Sequence, residues 1–538
     1  MNEDDLCEYL KSSFKSDCTK VSGSVFFGLS GAYSPWQIFH IIVLTRAMEK
    51  MGNNIDYFVG NNQKEMEKVI SFNSRTIFKI NKFKVFLKYF FKIIFYNVAF
   101  LRSYGNFEKI FDLHVQGVYI GDYIYDEFLR LNNQSSINKI NFKYIVAINK
   151  ALVFYFYYTD IFKNNQYKYV FTSHAWYIRF GLLARVARKN NIKVLNYISG
   201  ADSGTGIILS KLYPKENFHR YASWVDKKTV ERYKDDKIVM KKASRYFSDI
   251  VNNLSQHSDS MSYLSSKIFS NDGSLLKLKE IIKNKNKKVV VIVAHVLIDN
   301  VTGLNGRDQI YRDYFIWLRE TLKLCEKNRN IITLLKLHPM EDGYNYSPKT
   351  LEIYKKMHLK NVLLWPNDVD FRGSHDLVDL VITVNGSVSV EFPCFGVPVI
   401  CASSSSAVTG LQTIIEPKNE KEYRRVIAHA HKIIKLDLDI INQAKLLYFL
   451  YYKNLWYDLD NNFYPTALDT IKEEFLPFDF HISPTPVLEN YINIIIDKLN
   501  VFNEEYEKKY LSDITCFFNN NNTRNLSDLD LQSRLEKY

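Results

Sequence analysis

Short apolar runs alternate with longer segments of helical content along most of the chain. Residues 24–28 form an apolar run, followed by a loop that carries Gly28, Ser30, Gly31 and Ser34. Residues 35–51 then have helical content with Gly52 as a stop, and 55–59 are the next apolar run. This is a βαβ-like opening. The pattern returns further on, where 167–172 predict a strand, 176–189 a helix and 192–198 a strand. A polar, Gly-rich loop with Asp202 follows at 199–206.

The clearest alternation lies beyond residue 288. Residues 289–294 are continuously apolar, the mark of a strand buried on both faces. Residues 308–327 predict a helix, and 331–337 a strand that ends in His338-Pro339. A short strand is expected at 362–365. A strand at 380–384 runs into Asn385-Gly386-Ser387 and a helix to Phe395, and 397–401 give a last strand. Strands and helices at this spacing predict a parallel, doubly wound sheet. The fold class is therefore α/β, with two Rossmann-like doubly wound domains and C-terminal helices. The polar stretch 271–288, with its Lys/Asn run, marks a boundary near 280. The expected division is 1–280 with a helical insertion, 281–430, helices over 431–510 packing back across the domains, and a loose polar tail at 511–538.

Length agrees with two cores, because 538 residues exceed the roughly 250–300 at which single cores stop growing. Apolar residues at 46% and charged residues at 24% are a globular balance. No run reaches the roughly 18–20 apolar residues of a membrane-spanning helix. The acidic start, Asn2-Glu3-Asp4-Asp5, predicts no signal peptide, and six cysteines without a CxxC fit a reducing cytoplasm. The 71 Lys and Arg against 58 Asp and Glu leave +13, which admits anionic partners. No nucleic-acid module is recognised and the charge is spread along the chain, so nucleic acid is excluded as partner. The 37 Tyr and 37 Phe are an unusual load, and most must be core. In the aromatic stretch 80–101, Lys84, Lys88 and Lys92 would share one helical stripe. Two readings stand: a mostly buried helix with snorkelling lysines, which is favoured, and a helix lying on an anionic membrane surface.

Four groups of residues carry candidate chemistry. In the first, a buried strand runs into Asn385-Gly386-Ser387 and a helix with Ser389 and Glu391. Free N–H groups at a helix start suit a phosphate, Gly386 would let the backbone approach it, and Ser387 and Ser389 would donate hydroxyls. Glu391 would accept from ribose hydroxyls. Ser387 as a plain N-cap and Glu391 as a first-turn acid fit the same residue types. The second group is Lys336 with His338, a strand-end His turned by Pro339 into the crevice. The third is His295 with Gly303, Gly306 and Arg307, in which His295 and Arg307 would neutralise a diphosphate or monophosphate. The fourth is Ser173-His174 with Asp202, expected to face the second domain across a cleft. Either His174 or Asp202 would be the general base for an acceptor hydroxyl, although an Asp in such a loop is also a common turn former. Walker A, GxGxxG, HExxH and GxSxG motifs are absent, and the four scattered DxD triplets imply no metal site.

These residues resemble a known family. Ala294-His295, the run Tyr311-Arg312-Asp313-Tyr314-Phe315-Ile316-Trp317-Leu318, Lys336-Leu337-His338-Pro339, Thr383-Val384-Asn385-Gly386-Ser387 and Glu391 together resemble the bacterial capsule polysaccharide biosynthesis family. That family includes GT-B transferases of 3-deoxy-manno-octulosonic acid (Kdo). The resemblance covers about residues 289–425. The His-Pro pair also looks like that of GT-B sialyltransferases and polyol-phosphate transferases, where it helps bind a cytidine nucleotide. The resemblance implies a GT-B fold with an N-terminal acceptor domain and a C-terminal donor domain. It implies a glycosyltransferase of capsule or lipopolysaccharide assembly, inverting and metal-independent, with no resident cofactor. The donor would be a nucleotide-sugar, such as a CMP-sugar, and the acceptor a glycan or glycolipid. His338 would contact the donor phosphate or cytosine, Ser387 and Ser389 the phosphate, and Glu391 the ribose. The chain departs from the family at Asn385-Gly386-Ser387, where Gly-Thr is more usual. Location would be cytoplasmic, peripheral on the inner face of the membrane. The alternatives are a CDP-polyol phosphotransferase of the same fold and a non-catalytic GT-B scaffold.

Overall fold

The computed structural model describes residues 23–28, 52–59, 76–101, 107–137, 139–172, 175–199, 206–212, 227–251, 272–283, 287–299, 309–403, 411–451 and 457–458, with isolated positions at 44–45, 48–49, 514 and 517. In chain order the described strands are β1 (Gly23–Gly28), β2 (Asn53–Val59), β3 (Thr76–Lys79), β4 (His114–Val115), β5 (Val118–Tyr119), β6 (Tyr169–Thr172), β7 (Lys193–Ser199), β8 (Gly206–Leu212), β9 (Lys288–Val293), β10 (Ile331–Lys336), β11 (Val362–Leu364), β12 (Leu380–Thr383), β13 (Val399–Cys401) and β14 (Tyr457–Asp458). They fall into two compact units. The first comprises Met1–Tyr96, Lys150–Glu216 and Leu455–Lys537, and the second Asn97–Asn149 with Asn217–Asn454. The single boundary expected near 280 is thus replaced by several exchanges. Residues 97–149 and 217–280 group with the second unit, not the first.

The first unit is built on a seven-stranded sheet of order β14-β8-β7-β6-β1-β2-β3. Strands β3, β2, β1, β6 and β7 are mutually parallel, and β8 is antiparallel to both β7 and β14. Its core is aromatic. Phe27 stacks on Phe171 of the neighbouring strand at 4.3 Å between ring centres. Phe26 meets Tyr167 edge-on at 5.3 Å and Phe162 at 5.8 Å. Burying each such ring contributes about 1.5–3 kcal/mol, with edge and offset contacts adding to that. Here the surplus of Phe and Tyr finds its structural use. Within 431–510, where C-terminal helices are expected, Tyr457–Asp458 is a strand of this sheet.

The second unit holds a five-stranded, all-parallel sheet of order β11-β10-β9-β12-β13. Its strands are the continuous aliphatic runs of the sequence. Lys288–Val293 and Ile331–Lys336 are buried along nearly their whole length, and Leu380–Thr383 along all of it. Helices Lys237–Val251 and Leu438–Phe449 belong to this unit and join through Phe247 edge-on to Tyr448 at 5.2 Å and Tyr246 to Phe449 at 5.5 Å. In both sheets the first strand lies centrally, between the second and the fourth. The chain is therefore an α/β protein with two Rossmann-like units.

Two local departures have physical causes. The helix expected from 308 begins at Tyr314, because Asp313 caps it: its carboxylate accepts from the Ile316 N–H at 2.7 Å. The same buried carboxylate accepts from the Tyr125 hydroxyl at 2.6 Å and the Ser136 hydroxyl at 2.7 Å. Arg312 reaches the Ile137 carbonyl at 3.2 Å. The Tyr311-Arg312-Asp313-Tyr314 run therefore clips segment 121–137 to the start of helix Tyr314–Lys327. The second departure concerns 80–101, which forms helices Lys82–Lys88 and Phe90–Leu101. The favoured expectation of burial is not what is found: Val85 and Ile93 are buried, whereas Phe83, Leu87, Phe91 and Phe95 are exposed.

Candidate functional site

In a parallel sheet of this order, the loops after the central strand and after its fourth-strand neighbour diverge to opposite faces and open a crevice. In the second unit those strands are β9 and β12. Four loops meet around that end of the sheet: 294–299 after β9, 337–349 after β10, 365–379 after β11 and 384–387 after β12.

His295 sits in the first of them. Its ring stacks on Tyr314 at 4.8 Å and meets Trp317 at 6.0 Å. The fully buried Thr383 hydroxyl lies 3.0 Å from His295 Nε2, and the Val384 N–H points at the same nitrogen from 3.4 Å. The Gly386 N–H donates to Thr383 Oγ1 at 3.4 Å. A chain of donors running from Gly386 through Thr383 makes Nε2 the acceptor and assigns the ring proton to Nδ1. Gly386 leaves room for the imidazole at this place. A side-chain carbon there would lie 3.2 Å from Thr383 Oγ1 and 3.4 Å from His295 Cε1. The space expected for a ligand beside Gly386 is occupied by the protein's own imidazole.

His338 ends the second loop's first turn. Its Nδ1 accepts from the Met340 N–H at 3.2 Å, which leaves Nε2–H as the donor. Burial lowers the His295 imidazole to about 3, and the neighbouring His338 adds to the lowering. Burial likewise lowers His338 to about 4, helped by the Lys336 ammonium and opposed by Asp299. Both imidazoles are neutral at pH 7 in this state. They act as hydrogen-bond donors, not as the phosphate-neutralising cations expected from the sequence. The remaining positive charge comes from Lys336, whose ammonium lies 5.6 Å over the Phe371 ring.

Loops one and two are tied together from below. The Leu297 N–H donates to the Tyr346 hydroxyl at 3.0 Å, and that hydroxyl donates to the buried Glu341 carboxylate. Glu341 also accepts from the Thr350 N–H at 3.0 Å and hydroxyl at 2.8 Å. This network sets the relative position of the segments that carry His295 and His338.

The turn after β12 differs from expectation in three ways. The α-helical part, Val388–Glu391, is one turn, followed by a 3₁₀ turn Phe392–Phe395. Few peptide dipoles are aligned there, so an anion would be held by individual N–H groups and not by a long macrodipole. Ser387 is exposed and makes no capping hydrogen bond, which removes the simple N-cap reading. Ser389 is 1% exposed and its hydroxyl is sealed inside with no hydrogen-bond partner among the described residues, so it does not face the crevice. Glu391 is buried against Arg372, 3.5 Å away, so its carboxylate is already engaged and not open to a ribose. Gly396, at φ +78°, ends the 3₁₀ turn in the left-handed conformation that glycine adopts without strain.

The structure thus brings together His295, His338, Lys336, Asn385, Gly386 and Ser387 at the strand ends, with Ser389 and Glu391 beneath. His174, Asp202 and Arg307 lie outside the described residues. Sequence reasoning missed Arg372, Thr383, Tyr314, Tyr346 and Glu341. Tyr314 was within reach, since it sits one helical turn before Trp317 in a run already singled out. Arg372 stands in a turn with no periodicity, and nothing around it announces a partner at Glu391.

Fold and crevice define the class: an α/β protein of two Rossmann-like units with polar groups at the switch point of its second sheet. No protein-family model and no curated protein sequence matches the chain. Among solved structures it is similar to a β-Kdo 2,4 transferase, KpsC of Thermosulfurimonas dismutans, at 14% identity and TM-score 0.32, over 52% of this chain and 79% of that one. The β-Kdo 2,7 transferase KpsC of the same organism gives 14% identity and TM-score 0.29, over 54% and 79%. The UDP-GlcNAc 2-epimerase of Methanocaldococcus jannaschii, in complex with UDP-GlcNAc and UDP, gives 12% and 0.26, over 78% and 97%. Similarity at this level says nothing of substrate or reaction.

Proposed function

We propose that the protein is a glycosyltransferase of bacterial surface polysaccharide assembly. It moves a sugar from a nucleotide-activated donor, a CMP-sugar in the first instance, to a hydroxyl of a glycan or glycolipid. The observation that carries this reading is the convergence of His295, His338 and Lys336 with the Asn385-Gly386-Ser387 turn at the switch point of the second sheet. Neutral imidazole donors and a lysine in a half-buried crevice suit a phosphate whose charge grows as it leaves. The spaced motifs shared with the capsule family over residues 289–425 point the same way.

In the reaction proposed, the acceptor oxygen forms a bond to the anomeric carbon while the bond from that carbon to the donor phosphate breaks. The phosphate departs with the electron pair, towards His338 Nε2–H and Lys336. The acceptor proton passes to a base, for which His174 and Asp202 are the candidates. Inversion follows from a single displacement. No resident cofactor enters, since the nucleotide-sugar is itself the substrate.

The test is product analysis with the purified chain, a panel of CMP-, CDP- and UDP-activated donors and short acidic glycan acceptors. Transfer that requires both donor and acceptor supports the reading. Turnover of CDP-glycerol instead would assign polyol-phosphate transfer. Conversion of a donor with no acceptor present would contradict transfer altogether, and failure to bind any nucleotide would favour a scaffold.

A further inference from the structure

We propose that helices Lys82–Lys88 and Phe90–Leu101 form a membrane-surface element whose exposed aromatic stripe inserts into the headgroup region of an anionic bilayer. The proposal rests on this surface alone and is independent of the transfer reaction.

Phe83 is 71% exposed, Leu87 55%, Phe91 85% and Phe95 67%. Soluble surfaces carry single exposed apolar residues as a matter of course, but large rings in a continuous row are different. At about 100° per residue, Phe83, Ile94, Leu87, Phe91 and Phe95 fall within one arc of about 120°. The opposite face, with Val85 and Ile93, is buried. Lys84, Lys88 and Lys92 run along the border between them. Lys88 pairs with Asp160 at 2.7 Å, and both Lys88 and Lys92 lie over the Tyr89 ring at 5.1 and 5.6 Å. Their apolar stems therefore lie along the helix, with the charged ends at the rim of the aromatic row.

Charge selects the occupant. Residues 68–107 contain eight Lys or Arg and no Asp or Glu. A second copy of this chain would bring the same positive segment against itself. An anionic lipid surface satisfies both parts at once, taking the rings at the boundary between headgroups and acyl chains and the ammonium groups at the headgroups. The neighbouring helix Phe142–Asn164 is also long and apolar, yet 61% of its most apolar window is buried inside the protein, so it belongs to the core.

The experiment is co-sedimentation of the full chain with vesicles of phosphatidylcholine containing about 30% phosphatidylglycerol, and with phosphatidylcholine alone. Wild type should bind the anionic vesicles, less so as salt rises, and bind neutral vesicles weakly. The pair Phe91→Ser with Phe95→Ser should lower partitioning by about tenfold or more, and Lys84→Glu with Lys92→Glu should lower it and flatten the salt dependence. Unchanged binding of the Phe pair overturns the proposal. So does a dimer in the absence of lipid that the Phe pair dissolves, which would give the stripe to a second copy. Emission from Phe91→Trp, read in the folded protein, supplies a check that needs no destabilising change. A blue shift on adding anionic vesicles supports insertion, and no shift overturns it.

Discussion

The two sheets share a strand order and differ in what fills them. Around the switch point of the first, the described strand ends are Gly28 and Thr172. A side-chain carbon on Gly28 would lie 2.3 Å from Leu183 Cδ2, so this end of β1 is pressed against the leucine of helix Leu182–Lys189. Rings dominate the core, and its buried polar contacts include Tyr167 donating to Asp56 at 2.7 Å and the Asn53 amide donating to the Met48 carbonyl at 2.9 Å. In the second sheet the core is aliphatic, while His295, Thr383, His338 and Lys336 collect at the strand ends. Strand order locates a crevice in both units; the side chains placed there decide what it can do. Among the described residues the first unit buries Asp56, Arg185 and Arg188 beside its rings, whereas the second gathers His295 and His338 at its strand ends.

The contrast is broken most directly at His338. His338→Ala should reduce transfer by about 10²–10³-fold with an unchanged melting temperature, measured by initial rates and circular dichroism. Wild-type turnover would return the crevice of the second sheet to the status of the first. Next in size is Asp313→Ala. It removes a helix cap and leaves the Tyr125 and Ser136 hydroxyls without their buried acceptor, so urea unfolding should show a loss of about 2–3 kcal/mol. Tyr167→Phe in the first unit removes one hydrogen bond and should cost only about 1 kcal/mol. Equal losses would mean that the two units do not differ in their reliance on polar networks.

Much of the second unit is legible in the amino-acid sequence, because its strands are uninterrupted aliphatic runs separated by turn residues at 294–306, 338–339 and 385–387. Strand positions follow within one or two residues. The start of the helix after β9 does not, since Asp308 and Asp313 are both acceptable caps and only tertiary hydrogen bonds to Tyr125 and Ser136 choose between them. The pairing of Glu391 with Arg372 is invisible for the same kind of reason: it joins the 365–379 loop to helix Val388–Glu391, which neighbour each other only once β11 and β12 are in place. The neutral state of the two imidazoles depends on burial, for His295 against Tyr314 and Trp317, which no motif carries. Segment 80–101 misleads in the opposite sense, because a sequence apolar on nearly every side reads as core by default.

Gly386 sharpens the comparison further. Gly386→Ala should crowd Thr383 Oγ1 and His295 Cε1, displace the imidazole by a few tenths of an ångström and weaken nucleotide binding by about tenfold, with little change in melting temperature. A titration with unaltered affinity would show that the position of His295 is immaterial. A further expected effect is on stability in acid. His295 and His338 are neutral when folded down to about 3 and about 4, whereas in the unfolded chain they take up protons below about 6.5. Between those limits unfolding binds protons, so stability present above pH 6.5 declines as pH falls, by about 1.4 kcal/mol per unit for each ring at most. Melting curves from pH 7 to 5 should show this decline, and it should be shallower in His295→Asn; an identical slope would contradict the burial of that ring.

The central claim is that the crevice of the second sheet binds the nucleotide of an activated sugar. Calorimetric titration of the full chain with CMP, CDP and UDP, beside His338→Ala, tests it most directly. The account predicts saturable binding of at least one nucleotide by the wild type, weakened by more than about tenfold in the variant. Binding by neither protein, or equal binding by both, would contradict it.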